Sequence, residues 1–309
     1  MKLIHKVEEC AIYESNKHSY ASIPLVPTTS TSSLPSLSLK PVIKSFLLKI
    51  TSSSSSTSEA AHALLSSITK SMKHADARNH HAHTHTHTSS SIKFKALKAM
   101  PLKSLIEEIH SPSSSSSSNM LGMAYTLTLK LLADIGTQLE RIQMEHGFVI
   151  PFLSLEDIVV IETMRVRVYE GGGEPKSVKP SKPSEPLDPS EYDYEYTFIF
   201  MNAEKLVQEP GSNKKELIID VPLKVNKHTS FLPAELPESA LKRLPMRVTT
   251  TSWQYSLSAL CIYALLQHKF KNGEDDIERV GRPFLHTSLY FCLKRCLKPD
   301  PEDRVLLYI

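Results

Sequence analysis

Cysteine is scarce in this chain. Four in 309 residues, with no Cys-x-x-Cys pair and no even spacing, argue against a disulfide scaffold and fit a reducing compartment. Cys292 and Cys296 stand four apart on a predicted helix. Two thiolates there would suit a metal, but no His or second Cys pair lies near them in sequence, and a buried core thiol is the plainer reading. An excess of one charge is missing too. Acids and bases nearly cancel, leaving +3, and no Lys/Arg block or basic groove interleaved with aromatics occurs, so nucleic acid is not an expected partner. Nor is there a long apolar run. Leu257–Leu266 falls well short of the roughly 20 residues that cross a bilayer. Met1–Tyr13 is broken by Lys6, Glu8 and Glu9, where a secretory leader needs an unbroken apolar stretch. The expectation is a soluble intracellular protein, cytoplasmic or nuclear, with no membrane partner.

What is present is patterned sequence interrupted by biased tracts. Residues 27–41 are Ser/Thr/Pro-rich, 51–58 are nearly all Ser, 111–118 form another Ser tract, and 171–192 open on three glycines and continue in Lys-Pro and Glu-Pro pairs. Such compositions bury little apolar surface and are read as mobile inserts, the second extending over 51–91. His80–His87 reads HHAHTHTH. Alternate imidazoles on one side of an extended chain suit Zn or Ni. No carboxylate or Cys completes a shell, so the tract is read as a simple-sequence expansion with adventitious metal affinity.

Among the patterned segments, Leu3–Ser15 reads as a short helix, Ile43–Ile50 and Ile92–Leu97 as strands, and Leu102–Ile109 as a short helix. Leu121–Glu145 is the firmest helix, with Leu129, Leu132, Ala133, Ile135, Gly136, Leu139, Ile142 and Gln143 at the spacing of a buried stripe. Asp157–Ile161 and Arg165–Tyr169 read as a hairpin turning at Glu162-Thr163-Met164, and Tyr196–Met201 as a further strand. Ser256–Gln267 is apolar on nearly all sides and predicts a central helix; Ser288–Leu297 predicts an amphipathic one ending before Pro299.

This order resembles the protein kinases. LKRCLKPDPEDR at Leu293–Arg304 is similar to the family's late helix and Asp-Pro-x-x-Arg turn, whose Arg pairs with the Glu of an Ala-Pro-Glu motif. FLPAE at Phe231–Glu235 reverses that motif's Ala and Pro and keeps its acid. The resemblance therefore implies a Glu235–Arg304 ion pair. SWQYSLSALCIYAL at Ser252–Leu265 resembles the family helix D-x-W-S-x-G-x-x-L-Y-x-L, matching at Ser256 and Leu257. Trp253 falls where the family has an Asp that holds the catalytic-loop backbone, which implies a differently supported loop.

HGFVIPFLSLEDIVV at His146–Val160 resembles the catalytic loop H-R-D-L-K-P-E-N-I-L-V in pattern and departs from it in chemistry. Ile150-Pro151-Phe152 replaces His-Arg-Asp, so Phe152 sits at the position of the catalytic Asp and cannot take a proton. No catalytic residue is carried over. Asp157 replaces Asn and remains a hard-oxygen ligand for a divalent cation. The Asp-Phe-Gly position falls at Glu170-Gly171-Gly172, making Glu170 a second candidate metal and cofactor ligand, or near Phe200–Asn202, where no carboxylate is present. At the N-terminal end, Val7–Leu25 resembles the regulatory helix, with Glu9 and His18 at its Glu and His, and IKFKALKAMPLKSLIEEI at Ile92–Ile109 resembles the strand, hinge and short helix joining the lobes. On that alignment the chain starts after the first strands. No Gly-x-Gly-x-x-Gly loop or Val-Ala-Ile-Lys strand occurs.

The resemblance implies an α+β, kinase-like fold with a reduced N-terminal lobe and hinge in 1–110 and a mainly helical C-terminal lobe in 111–309. It implies a pseudokinase-like protein acting through other proteins, with no cofactor. The alternatives are a phosphotransferase using ATP and Mg on Asp157 and Glu170, and a decayed fragment without function.

Overall fold

The computed structural model describes residues 1–7, 10–15, 44–50, 55–77, 87–88, 91–111, 117–166, 192–209, 216–220, 222–237 and 243–305. Glu9, His18 and Glu170, the His tract apart from His87, and most of the Ser- and Pro-rich inserts lie outside them.

The chain opens with strands β1 (Lys2–Val7) and β2 (Cys10–Glu14), followed by β3 (Lys44–Ile50). A helix was expected over Leu3–Ser15, and the regulatory helix from Val7 onward. The apolar spacing there satisfies a helical period locally, but β2 is paired along both edges, with β1 and β3, and sheet pairing overrides it. The helix comes later. α1 spans Ser55–Ala77, inside the segment read as an insert, and buries Ala61, Leu64, Leu65, Ile68 and Met72. Those positions recur at three and four residues, so behind its Ser-rich start the segment carries a full helical stripe.

Strands β4 (His87–Thr88) and β5 (Ser91–Ala96) complete a five-stranded antiparallel sheet in the order β1-β2-β3-β5-β4. Phe46 of β3 faces Phe94 of β5, their rings stacked with centroids 5.4 Å apart, a cross-strand contact that fixes register. The chain leaves through β6 (Lys98–Pro101) into α2 (Leu102–Ile109) and the long α3 (Ser117–His146). α3 buries Ala124, Leu131, Leu132, Ile135, Leu139 and Ile142; Ala133, expected on that stripe, is exposed.

β7 (Phe148–Val149), β8 (Leu153–Ser154) and β9 (Ile158–Val166) follow. β9 is one continuous strand; no turn interrupts it at Glu162–Met164. Its hairpin partner is β10 (Tyr192–Phe200), in unbroken register from Tyr192↔Val166 to Phe200↔Ile158. The polar residues that suggested a turn fit the strand instead, as Glu162 faces Tyr196 and accepts its hydroxyl at 3.2 Å. β6 pairs with the other edge of β9. The outer edge of β10 is capped by α3: Asp134 accepts from the Phe198 N–H at 3.0 Å, and Gln138 both accepts from the Phe200 N–H and donates to its carbonyl, at 2.9 and 3.1 Å.

β11 (Val207–Gln208), β12 (Glu216–Ile219), β13 (Ser230–Phe231) and β14 (Met246–Thr249) are short. Helices α4 (Ser252–Leu266), α5 (Ile277–Val280) and α6 (Ser288–Cys296) close the fold. α4 is the central helix, with twelve of its fifteen residues buried, as its all-round apolar sequence requires. No helix among the described residues is long and apolar enough to cross a membrane.

Candidate functional site

The loop from Phe148 to Asp157 is held from three sides. β8 pairs with β13, and the Leu155 N–H donates to the Thr229 carbonyl at 3.0 Å. From α4, Ser256 Oγ accepts the Leu153 N–H at 2.7 Å and donates to the Phe231 carbonyl. The third side is β1, where the His5 ring nitrogen Nε2 meets the Glu156 carbonyl at 2.8 Å. The loop is therefore well supported without an Asp at position 253. Trp253, at that position, turns elsewhere and donates Nε1–H to Gln143 on α3 at 3.2 Å.

Phe152 is fully buried. Beside it Asp157, also buried, accepts from three donors: the Ser154 N–H at 2.7 Å, Asn202 Nδ2 at 2.8 Å and Lys205 Nζ at 2.6 Å. The Lys205 ammonium donates to Ser154 Oγ at 2.8 Å and lies 4.2 Å from the centre of the Phe152 ring. An ammonium has three donors and no acceptor; here two go to oxygens and the charge rests against a π face. Ser154 Oγ also meets Ser230 Oγ at 2.8 Å.

Phe200–Asn202, one of the two positions for the Asp-Phe-Gly equivalent, lies beside Asp157: the Met201 N–H bonds the Asp157 carbonyl at 2.8 Å, and Asn202 touches its carboxylate. Glu170 lies outside the described residues. Among the described residues, the carboxylate that touches Asn202 and Ser154 here is that of Asp157, already opposed by a tethered ammonium. A divalent cation prefers several oxygen ligands and would meet the charge of Lys205 in their place, so these residues do not fit a Mg-nucleotide. The Leu97 N–H, between β5 and β6, donates to the Glu162 carbonyl at 2.8 Å, which commits that backbone group to β9. No group of His, Cys, Asp and Glu side chains suited to hold a metal occurs among the described residues. Lys205 escapes sequence reasoning because a single Lys after an apolar strand reads as a solvated charge.

Glu235 and Arg304 meet as a bidentate pair, Nη1 to Oε1 at 2.8 Å and Nη2 to Oε2 at 2.7 Å. The Arg304 side chain is fully buried and that of Glu235 is 16% exposed. Arg304 also donates to the carbonyls of Lys298 and Pro299, and Ser252 and Thr249 donate to Glu235. Burial raises the Glu235 carboxyl, but the hydrogen bonds from Arg304 and Ser252 outweigh it and hold the group below its ordinary value. Cys292 and Cys296 are buried in the core.

A cleft of about 1520 Å³ opens beside Asp157. Val7, Glu59 and Ala60 of α1, and the segment Pro222–Asn226 are among the residues that line it.

No family model matches the sequence, and no curated protein matches it. Among solved structures, the chain is similar to the Toxoplasma gondii specific rhoptry antigen kinase domain, at 13% identity and a TM-score of 0.42, over 99% of this chain and 76% of that one. The landmarks within the chain itself appear in the order of a kinase-like fold. The five-stranded sheet of β1–β5 with α1 comes first, then β6 and α2, then the segment that holds α3 to α6 and the Glu235–Arg304 pair.

Proposed function

We propose that this protein is a kinase-like scaffold that does not transfer phosphate and acts by binding other proteins. The observation that carries the reading is the Lys205 ammonium seated on Asp157 and over Phe152. Phosphoryl transfer needs a residue to orient the acceptor hydroxyl and metal ions to offset charge on the phosphates. Phe152 supplies no acceptor, and the Asp157 carboxylate is already neutralised from within. A fold that keeps its packing without that chemistry retains recognition by its surface.

The test is a phosphotransfer assay with ATP and Mg²⁺ or Mn²⁺, run beside thermal unfolding over a nucleotide titration, since a ligand bound to the native state raises its stability. The expected result is no transfer and no metal-dependent shift, in a chain that unfolds cooperatively. A saturable, metal-dependent shift that disappears in Asp157→Ala would overturn the reading and favour the phosphotransferase. Absence of any cooperative transition would favour the decayed fragment.

A further inference from the structure

We infer that Cys292 and Cys296 form a peroxide-sensitive dithiol, which closes to a reversible disulfide and loosens the seat of Arg304. Neither cysteine lines the cleft or touches Asp157, so the device is independent of whether that centre transfers phosphate.

The two cysteines stand four apart on α6, and Cys296 is its last helical residue. Side chains at that spacing share a helix face. Four residues rise about 6 Å, inside the range of about 4.4–6.8 Å between Cα atoms that a disulfide spans. The residues are 4% and 0% exposed. Their thiols are hydrogen-bonded to one another, and the Cys296 Sγ also faces the Val305 carbonyl at 3.7 Å. A disulfide needs its Cβ atoms closer than a regular helix holds them, so the last turn must tighten for the bond to form. Pro299 follows within three residues of Cys296 and the helix does not continue, which leaves that turn free to adjust.

The surroundings divide the roles. The hydrogen bond from Cys296, with the Arg295 guanidinium adding to it, holds the Cys292 thiol below its ordinary value against the effect of burial. The bond to Cys292 and burial push the Cys296 thiol up. Ser258 of α4 supplies a separate observation. It is fully buried, its Oγ has no hydrogen-bond partner, and it lies where it favours an ionised Cys296 sulfur. A buried hydroxyl calls for a partner, and this one gains it when Cys296 loses its proton. Cys261, the third thiol of the region, is fully buried and held as the thiol by desolvation.

The oxidant is hydrogen peroxide, little larger than water, admitted when the last turn of α6 opens beside exposed Phe291 and Arg295. The Cys292 thiolate attacks one peroxide oxygen, the O–O bond breaks, and hydroxide leaves to take up the proton that Cys292 lost. Cys292 is then a sulfenic acid. The Cys296 sulfur displaces its OH, which departs as water with the Cys296 proton, and the S–S bond forms. Two thiols are oxidised and one peroxide is reduced to two waters. The carbonyls of Lys298 and Pro299, which accept from Arg304, follow directly after Cys296. Tightening the turn shifts them, and with them the seat of Arg304.

The test treats the reduced full chain with hydrogen peroxide, unfolds it in an alkylating reagent and maps the tryptic peptides by mass spectrometry. Trypsin cuts at Lys294 and Arg295, between the two cysteines, so the disulfide appears as two linked peptides. The expected product is the Cys292–Cys296 link, removed by dithiothreitol, with Cys10 and Cys261 still alkylated. Cys296→Ser should accumulate a Cys292 sulfenic acid that dimedone traps, and Cys292→Ser should lose about tenfold or more of the oxidation rate at position 296. Amide exchange across Leu297–Arg304 should rise on oxidation while exchange in β9 stays unchanged. Links through Cys10 or Cys261, or four free thiols after a dose of peroxide that oxidises the isolated peptide Ser288–Lys298, overturn the inference on the wild-type chain alone. Unchanged exchange across Leu297–Arg304 in the oxidised chain overturns the coupling to Arg304.

Discussion

The Lys205 ammonium lies 2.6 Å from a carboxylate oxygen of Asp157, and both side chains are buried. Each neutralises a charge that the interior would not otherwise hold. Lys205→Met leaves Asp157 stranded and should cost about 3–5 kcal/mol, read as a lower urea midpoint. Adding Asp157→Asn to Lys205→Met removes the stranded charge, and most of the loss should return. Equal loss in the single and double variants would show that packing of the Lys205 stem, not the pair, carries the stability.

Phe152→Asp introduces the carboxylate that the resemblance to kinases places at this position, without introducing the chemistry. The new acid would sit beside Lys205 and compete with Asp157 for it, while the centre still lacks a fitting cation site. Deleting a fully buried ring costs about 3–5 kcal/mol. The expected outcome is a less stable chain with no phosphotransfer in an assay with Mg²⁺ and ATP. Measurable transfer by this variant would place the block at Phe152 alone.

Ser256 connects α4 to the loop through two hydrogen bonds. Ser256→Ala leaves the buried Leu153 N–H without its acceptor, a loss of about 1–3 kcal/mol. Amide exchange at Leu153 should accelerate more than exchange in β9, which does not depend on that contact. Unchanged exchange at Leu153 would argue that β8–β13 pairing alone holds the loop.

The Glu235–Arg304 pair predicts a dependence on acid. Its folded carboxyl is held below the ordinary 4.5, so the stabilisation is fully present above that value and is lost as pH falls through the folded pKa. Glu235→Gln should flatten this part of the stability–pH curve. Arg304→Met, which strands the acid, should cost about 3–5 kcal/mol near neutrality. Both are read from denaturant midpoints across pH, and a wild-type slope in Glu235→Gln would assign the acid sensitivity to another group.

The helical half was legible because its signals are local. The stripe of α3, the apolar run of α4 and the Pro-terminated α6 need no knowledge of neighbours. Glu235 and Arg304 were found through a resemblance that fixes two distant points at once. The N-terminal half was not legible in the same way. β1 and β2 have a spacing that also satisfies a helix, and only their pairing with β3 decides between the two. α1 was hidden by the serines at its start, although Leu64, Ile68 and Met72 carry its period. Asp157 was identified as an acid of interest, but its partner Lys205 lies 48 residues away. No pattern links them until β9 and β10 pair and bring the residues after Phe200 back to the loop.

All four thiols of this chain are buried and outside disulfides: Cys10 in the N-terminal sheet, and Cys261, Cys292 and Cys296 in the helical lobe. They are built-in reporters of breathing. A thiol reagent can modify each only while its surroundings open, so the labelling rate at Cys10 follows excursions of the sheet and the other three follow those of the helices. If the two lobes open as separate units, Cys10 will react at its own rate. If the pairing of β6 with β9 and the His5 contact make them one cooperative body, all four will be modified together.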